Sequence, residues 1–384
     1  WCNVKGIGSW SLTGNAAEAL SKKFTEMQDD SEVTAGFMWQ KTTRESKKYQ
    51  LRGEILSFIP VEKNVEVMLV TITNTGRMAQ TVTPTAAIPL YGRSADNIRD
   101  HRHVTSLLHR IETTDTGVLV TPTLSFDERG HQVNHMTYYC VGWSGNGEKP
   151  VDFYPTAEDF VGEGGNFERP YAIVKKAEGV KAGTRIEGLE AVGGLHFSEV
   201  TLEPEEECSY LIFTGITEDI QEIRNLSKTY TTREMVLEEL EKTKAYWQEK
   251  VNVAYHTGDS DFNQFMHWVS FQPILRRIYG CSFLPHHDYG KGGRGWRDLW
   301  QDCLALLIMN PDGVRQMLLD NFAGVRVDGS NATIIGSKQG EFVADRNNIT
   351  RVWMDHGVWP MITTKFYIDQ TGDLELLEKE AGYF

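Results

Sequence analysis

Residues able to do chemistry crowd into two short stretches of this chain. The first is GGRGWRDLWQDCLALL (292–307), where Arg297, Asp298, Gln301 and Asp302 stand among Trp296 and Trp300 as a glycine run gives way to an apolar helical pattern. A solvated helix start needs one capping side chain. Asp298, with Gln301 three residues on, could supply it for a helix over 299–309. Arg297 and Asp302 then offer a guanidinium fork and a carboxylate acceptor, a set suited to the vicinal hydroxyls of a sugar, or else a plain Arg–Asp pair. The second stretch is DRNNITRVWMDHGVW (345–359), with Asp345, Arg346, Asn347, Asn348, Arg351 and Asp355 near Trp353 and Trp359. Polar groups of this density among tryptophans must pair with each other or with a ligand. In Trp353-Met354-Asp355 an aromatic wall lies near a carboxyl. Such a wall raises a carboxyl pKa, which suits Asp355 to general acid work near neutral pH. The structural alternative is a buried ion-pair network that closes a helix start.

Other motifs point less sharply. The run YGKGGRG (289–295) lacks the GK[ST] ending of a phosphate loop and follows no clear strand. The pairs His101/His103 and His286/His287 have no matching partner cluster, so no metal site is expected, and no GxSxG motif supports a Ser-His-Asp hydrolase. The loop DFVGEGGNF (159–167) is flanked by Phe160 and Phe167 and reads as a hairpin connection or as an element of a site. VDGSNATIIGSKQGEF (327–342) reads as a loop crossing the mouth of a helical domain.

The elements that must carry these residues fall into two kinds. Residues 1–230 read mostly as β-structure: VEVMLVTITNTG (65–76), TGVLVTPTLSF (116–126), HMTYYCVGW (135–143), GLHFSEVTLEP (194–204) and CSYLIFTGIT (208–217) are short, β-rich and punctuated by turns. They predict an antiparallel sandwich, with a helical interruption near 96–109. From Thr231 and Glu234, a capping-box pattern, TTREMVLEELEKTKAYWQEK predicts a helix of about five turns. DFNQFMHWVSFQPILRRIYG predicts another, bent or broken at Pro273. Pro311 opens a helix to about Phe322, and the terminal DLELLEKEAGYF reads as a helix in progress. The order is sandwich, linker helix, and the start of an all-helical domain. With Trp at position 1 as well, the expectation is a piece of a longer protein.

Composition narrows the class. At 384 residues and 40% hydrophobic, the chain can bury a sizeable core over two or three domains. A net charge of −14 argues against nucleic acid as the main partner, and no window reaches the ~18 uncharged apolar residues of a membrane span. The five cysteines are scattered and show no CxxC, which predicts a reducing compartment without disulfides or zinc. Aromatics at 11% would serve a sugar site or a core equally well.

GWRDLWQD followed by VWMDHGVW resembles the paired motif of the inverting β-glucoside phosphorylases, glycoside hydrolase family 94, and the resemblance covers the whole chain. It implies a β-sandwich (supersandwich) domain over 1–230, a helical linker over 231–258 and the first part of an (α/α)6 barrel over 259–384. Arg297 and Asp302 match the pair that holds the sugar in the −1 subsite, Trp353 the tryptophan lining it, and Asp355 the general acid. The loop Phe160, Gly162, Gly164, Gly165 resembles a sandwich loop that reaches an active site, in some members that of the partner subunit, which implies a homodimer. Leu299-Trp300 and Met354 depart from the cellobiose phosphorylase pattern. GGRGWRDLWQD, DGSNATIIG and FVADRNNITRVWMDHGVW are most similar to the β-1,2-oligoglucan (sophoro-oligosaccharide) phosphorylases.

The resemblance implies phosphorolysis of a β-glucan oligosaccharide to α-glucose 1-phosphate with inversion, in the cytoplasm. No cofactor is needed beyond inorganic phosphate as co-substrate. Phosphate is already an anionic nucleophile, so one acid suffices where an inverting hydrolase needs a second carboxylate as base. The family's phosphate ligands are not found in this stretch, so the piece by itself is expected to be inactive. The rival readings are a cellobiose- or cellodextrin-type phosphorylase, an inverting hydrolase on the same fold with Asp345 or Asp302 as base, and a non-catalytic glucan-binding protein.

Overall fold

The computed structural model describes residues 1–61, 63–92, 105–127, 130–279, 294–336, 340–344 and 354–384. Two compact units divide at residue 245, Trp1–Ala245 and Tyr246–Phe384. Among the described residues, no helix is long and apolar enough to cross a membrane.

The first unit is a sandwich of antiparallel sheets. Its larger sheet has nine strands and runs from Arg185–Glu187 at one edge to Asp30–Gly36 at the other. The centre is Glu207–Thr217, paired on one side with Val65–Asn74 and on the other with Thr137–Ser144. The smaller sheet has six strands, with Gln80–Leu90 paired to Cys2–Val4, Ala191–His196 and Val200–Leu202. Alternate side chains of a strand leave opposite faces. Cys140, Tyr210 and Ile212 therefore enter the core between the sheets, with Cys2, Leu51, Val82 and Leu195. Their neighbours Tyr139, Val141, Leu211 and Phe213 pack on the other side. There they meet Ile223, Leu226, Tyr230, Val236 and Leu240. With both faces buried, the central strands read as continuous apolar runs.

The unit also holds short helices α1 (Ala17–Ser21), α2 (Ala157–Val161) and α3 (Tyr171–Lys175), then α4 (Ile220–Thr229) and the larger part of α5 (Arg233–Lys250), which runs on past Ala245. Phe160 lies inside α2 and is fully buried against Tyr154 and Phe167. It is a core residue, and the loop proper begins at Gly162. The start of α5 is one residue later than the capping-box reading placed it. The Val236 amide reaches the Thr232 carbonyl, and Thr232 bonds Glu234, whereas Thr231 turns its hydroxyl to Met235 Sδ. GLHFSEVTLEP divides into two strands, Ala191–His196 and Val200–Leu202, and TGVLVTPTLSF into Gly117–Pro122 and Leu124–Asp127. Most of the stretch expected to be helical at 96–109 lies outside the described residues, and His109 opens a strand.

The second unit contains α6 (Ser260–Tyr279), α7 (Trp296–Met309), α8 (Val314–Phe322) and α9 (Val358–Thr371). Helix α6 is not broken at Pro273. The lost backbone bond is outweighed by the burial of Phe271, Ile274 and Leu275 around it. Helix α7 buries Trp296, Leu299, Trp300, Cys303, Leu306 and Leu307, the spacing of a helix with one apolar stripe. It docks on α9, where Thr363 Oγ1 donates to the Trp300 carbonyl (3.0 Å) and Gln370 Nε2 to that of Leu307 (2.6 Å). The segment read as a mouth loop instead forms a small sheet. Ile334–Ile335 pairs with Arg294–Gly295 just ahead of α7 and with Phe342–Val343. Helix α8 begins at Val314, three residues after Pro311. The C-terminal segment is one 3-10 turn, Leu374–Glu378, followed by residues without regular structure, of which Phe384 packs on Phe342 and donates its amide to the Val325 carbonyl (2.9 Å).

Gly324 packs tightly against the start of α7. A Cβ there would stand 2.7 Å from both Phe342 and the Trp296 ring. Overpacking of this kind costs about 1–3 kcal/mol, so Gly324→Ala is expected to lower the urea midpoint with an unchanged slope. A variant as stable as the parent would contradict the packing.

Candidate active site

The start of α7 meets the turn ahead of α9. Asp355 lies in that turn, its carbonyl accepting from the amides of Val358 (3.1 Å) and Trp359 (3.3 Å). Trp296, 1% exposed, binds the same turn by donating its indole Nε1 to the His356 carbonyl (3.1 Å). Its amide donates to the Thr333 carbonyl (3.0 Å), so the small sheet and the turn both hold the helix start. This places Arg297 Nη1 2.9 Å from Asp355 Oδ2, with side chains 44% and 41% exposed. Trp359 Nε1 donates to the same Oδ2 (3.2 Å).

These donors set the charge state of Asp355. Hydrogen bonds from Arg297 first and Trp359 second hold its carboxyl below the usual carboxylate range. The direction is opposite to that expected from an aromatic wall, because two donors favour the ionised form more than partial burial disfavours it. Trp353, the wall in that reading, lies outside the described residues, as do Asp345, Arg346, Asn347, Asn348 and Arg351. Beside Asp355, burial pushes the His356 imidazole down, so it is neutral at neutral pH. Asn331 Nδ2 reaches His356 Nδ1 (3.1 Å), which leaves the ring proton on Nε2.

Asp302 is elsewhere on the helix. It is 5% exposed and is clasped by Arg276 of α6, with Nε 2.9 Å from each carboxylate oxygen and Nη2 2.5 Å from Oδ1. The Arg–Asp pair read within RDLWQD is therefore two pairs, Arg297–Asp355 and Arg276–Asp302. The next residue, Arg277, ties down the far end of α7 through Asn310 Oδ1 (3.1 Å) and the Asp312 carbonyl (2.8 Å). Sequence reading missed Arg276, Asn331 and the role of Trp359. The available signal was the charged pair Arg276-Arg277 in the last turn of α6, after the apolar residues Ile274 and Leu275. The expected Asp298 cap is absent as well: Gly295 is the N-cap, without a side-chain cap bond. Asp298 Oδ2 instead lies over Gly295, in the space that a Cβ would take.

The arrangement offers an exposed carboxyl with two donors on one oxygen, and a surface guanidinium able to exchange its partner. Among the described residues no group of His, Cys, Asp and Glu could hold a metal ion; the histidine pairs at 101/103 and 286/287 lie outside them. Cys2, Cys140, Cys208 and Cys303 are free thiols. In the first unit, Gly162, Gly164 and Gly165 make a tight loop in which Gly162 and Gly164 have positive φ, and a Cβ on Gly165 would clash with the Val161 carbonyl.

Sequence comparison matches residues 9–233 to the glycosyl hydrolase 94 supersandwich domain and residues 246–383 to the catalytic domain of the glycosyl hydrolase 94 superfamily. The cyclic beta-(1,2)-glucan synthase NdvB of Rhizobium meliloti (strain 1021) is 25% identical over 259 residues, covering 64% of this chain and 8% of that protein. The 3-O-beta-D-glucopyranosyl-beta-D-glucuronide phosphorylase of Paenibacillus borealis is 26% identical over 239 residues, covering 61% of this chain and 29% of that protein. The chain thus spans less than a third of the length of either relative. Among solved structures, a bacterial glucoamylase complexed with acarbose aligns over 88% of this chain and 48% of its own, at 11% identity and a TM-score of 0.45. With one domain match on each side of residue 245, the chain belongs to glycoside hydrolase family 94.

Proposed function

We propose that the protein is an inverting phosphorylase that cleaves a β-linked gluco-oligosaccharide with inorganic phosphate, releasing α-glucose 1-phosphate and a shortened chain. The observation that carries this reading is the approach of Arg297 to Asp355 at the mouth of α7, inside the stretch matched to the family's catalytic domain. The Paenibacillus relative is a phosphorylase by name, which supports phosphorolysis. The Rhizobium relative is named for a β-(1,2)-glucan, which supports a β-1,2 linkage. The proposed partners are the oligosaccharide, phosphate and a second copy of the chain, in the cytoplasm, with no organic cofactor or metal.

In this reading Asp355 is the general acid. The ligand-free carboxyl is ionised, because Arg297 and Trp359 stabilise its anion. A glycosyl hydroxyl that takes over the Arg297 fork removes the stronger of these donors, and the carboxyl pKa rises toward the range in which it holds a proton. The proton then passes to the glycosidic oxygen as its bond to the anomeric carbon breaks and a phosphate oxygen attacks from the opposite face. Asp302, pre-set by Arg276, is the acceptor for sugar hydroxyls, and Trp353 is the wall of the subsite. A base role for Asp302 is disfavoured, since a carboxylate gripped on both oxygens by a guanidinium is poorly placed to activate water. The loop at Gly162–Gly165 is assigned to the same function as the resemblance assigns it.

The reading is tested by incubating the full-length protein with phosphate and β-1,2-, β-1,3- and β-1,4-gluco-oligosaccharides and assaying sugar phosphate. Glucose 1-phosphate from the β-1,2 series is expected, and Asp355→Asn should lower turnover by about 10²–10⁴-fold. Free glucose released without phosphate would establish a hydrolase instead. The two arginines should separate cleanly. Arg276→Met strands a buried carboxylate and is expected to destabilise the fold by about 3 kcal/mol in urea unfolding, the low end for a broken buried pair because Arg276 itself is partly exposed. Arg297→Met breaks a solvent-screened surface pair and should leave the urea midpoint nearly unchanged while abolishing phosphorolysis. Equal stability losses would contradict this division.

A further inference from the structure

Among the described residues, both side-chain donors that reach Asp355 end on one oxygen, Oδ2, with Arg297 Nη1 at 2.9 Å and Trp359 Nε1 at 3.2 Å. They differ in how they are held. Arg297 is an exposed side chain on a flexible stem, and the proposed reaction asks it to turn to the sugar. Trp359 is half-buried in the first turn of α9, directly before the buried Pro360, so a helix carries its indole. An acid that lost its orientation whenever Arg297 left would not stay aimed at the glycosidic oxygen.

An indole N–H donates and cannot accept. In a protonated carboxyl the carbonyl oxygen is the better acceptor, so an N–H donor on Oδ2 favours the proton on Oδ1. The indole is also uncharged. It favours the carboxylate less than a guanidinium does, which lets the acid hold its proton once Arg297 has moved. Among the described residues, the titratable neighbour is His356, neutral through burial, and Asp298 of α7 acts on that imidazole.

We propose that Trp359 is the positioning residue of the general acid: it holds Oδ2 while Arg297 passes its hydrogen bond to the glycosyl unit, and it leaves Oδ1 as the oxygen that delivers the proton. This rests on the phosphorolytic reading of Asp355. In the transfer the Oδ1–H bond breaks, the proton joins the departing glycosidic oxygen, and the carboxylate left behind is still met by the Trp359 N–H.

The test is Trp359→Phe in the full-length protein, which removes the donor and keeps an aromatic ring. Turnover is expected to fall about tenfold with the glycan KM nearly unchanged, as for a single interaction that matters most in the transition state. The alkaline limb of kcat against pH should move to higher pH, because a donor to the ionised form is gone. In an Asp355→Asn background the same change should add no further loss. Trp359→His, which retains a ring N–H, should return the limb toward the parent's position, and it serves as the decisive variant if the Phe protein does not fold. An unmoved limb in a folded Trp359→Phe protein, a limb that Trp359→His shifts away from the parent's, or losses that add in the double variant, overturns the positioning role alone. Absence of sugar phosphate from the unaltered protein overturns the phosphorylase reading itself.

Discussion

The indole of Trp296 governs the geometry of the helical unit. Its ring is buried and edge-on to Trp300, its Nε1 is committed to the His356 carbonyl, and its amide is committed to Thr333. The ring cannot turn without opening a cavity and leaving a buried donor unpaired. The rotation of α7 about its own axis is therefore fixed at its first residue, and every side chain of the first turns inherits its direction from that anchor.

Helical pitch then sends the two key side chains of α7 in different directions. Five residues separate Arg297 from Asp302, which at ~100° per residue places them ~140° apart around the helix. One leaves the helix toward the turn at Asp355, and the other toward α6. The two carboxylates thus live under different electrostatic rules. Asp302 is nearly out of water, and its guanidinium partner is part of the fold. Asp355 is open to solvent, and its guanidinium partner is exchangeable. A buried charge pair and an exposed one lie within two turns of the same helix.

Much of this was legible in the residues. The β-branched runs marked Val65–Asn74, Thr137–Ser144 and Glu207–Thr217, because central strands buried on both faces leave a continuous apolar signature. The apolar stripe marked α7, and the crowd of charges at its start marked the candidate site. What sequence could not supply was long-range. Arg276 reaches Asp302 across 26 positions, and Arg297 reaches Asp355 across 58, so neither pairing leaves a local pattern. The direction of the Asp355 pKa failed for that reason: the adjacent tryptophans were visible, and the distant guanidinium was not. The small sheet around Ile334–Ile335 has strands of two residues, too short for any periodicity. The C-terminal stretch had helical propensity, yet beyond its 3-10 turn it has no regular structure and Phe384 packs on Phe342.

The double-sided burial of the large sheet bears on how the chain acquires its structure during synthesis. One face of Glu207–Thr217 is covered by strands, whereas the other is closed by Ile223, Leu226 and Tyr230 and then by Val236 and Leu240 from α5. A nascent chain released only as far as residue 230 would lack Val236 and Leu240 and so leave part of that face open to water or to chaperones. The ribosome must therefore have extruded the first two turns of α5 before the sandwich can close. The helix that leads onward in the chain is in this sense the last piece of the domain behind it.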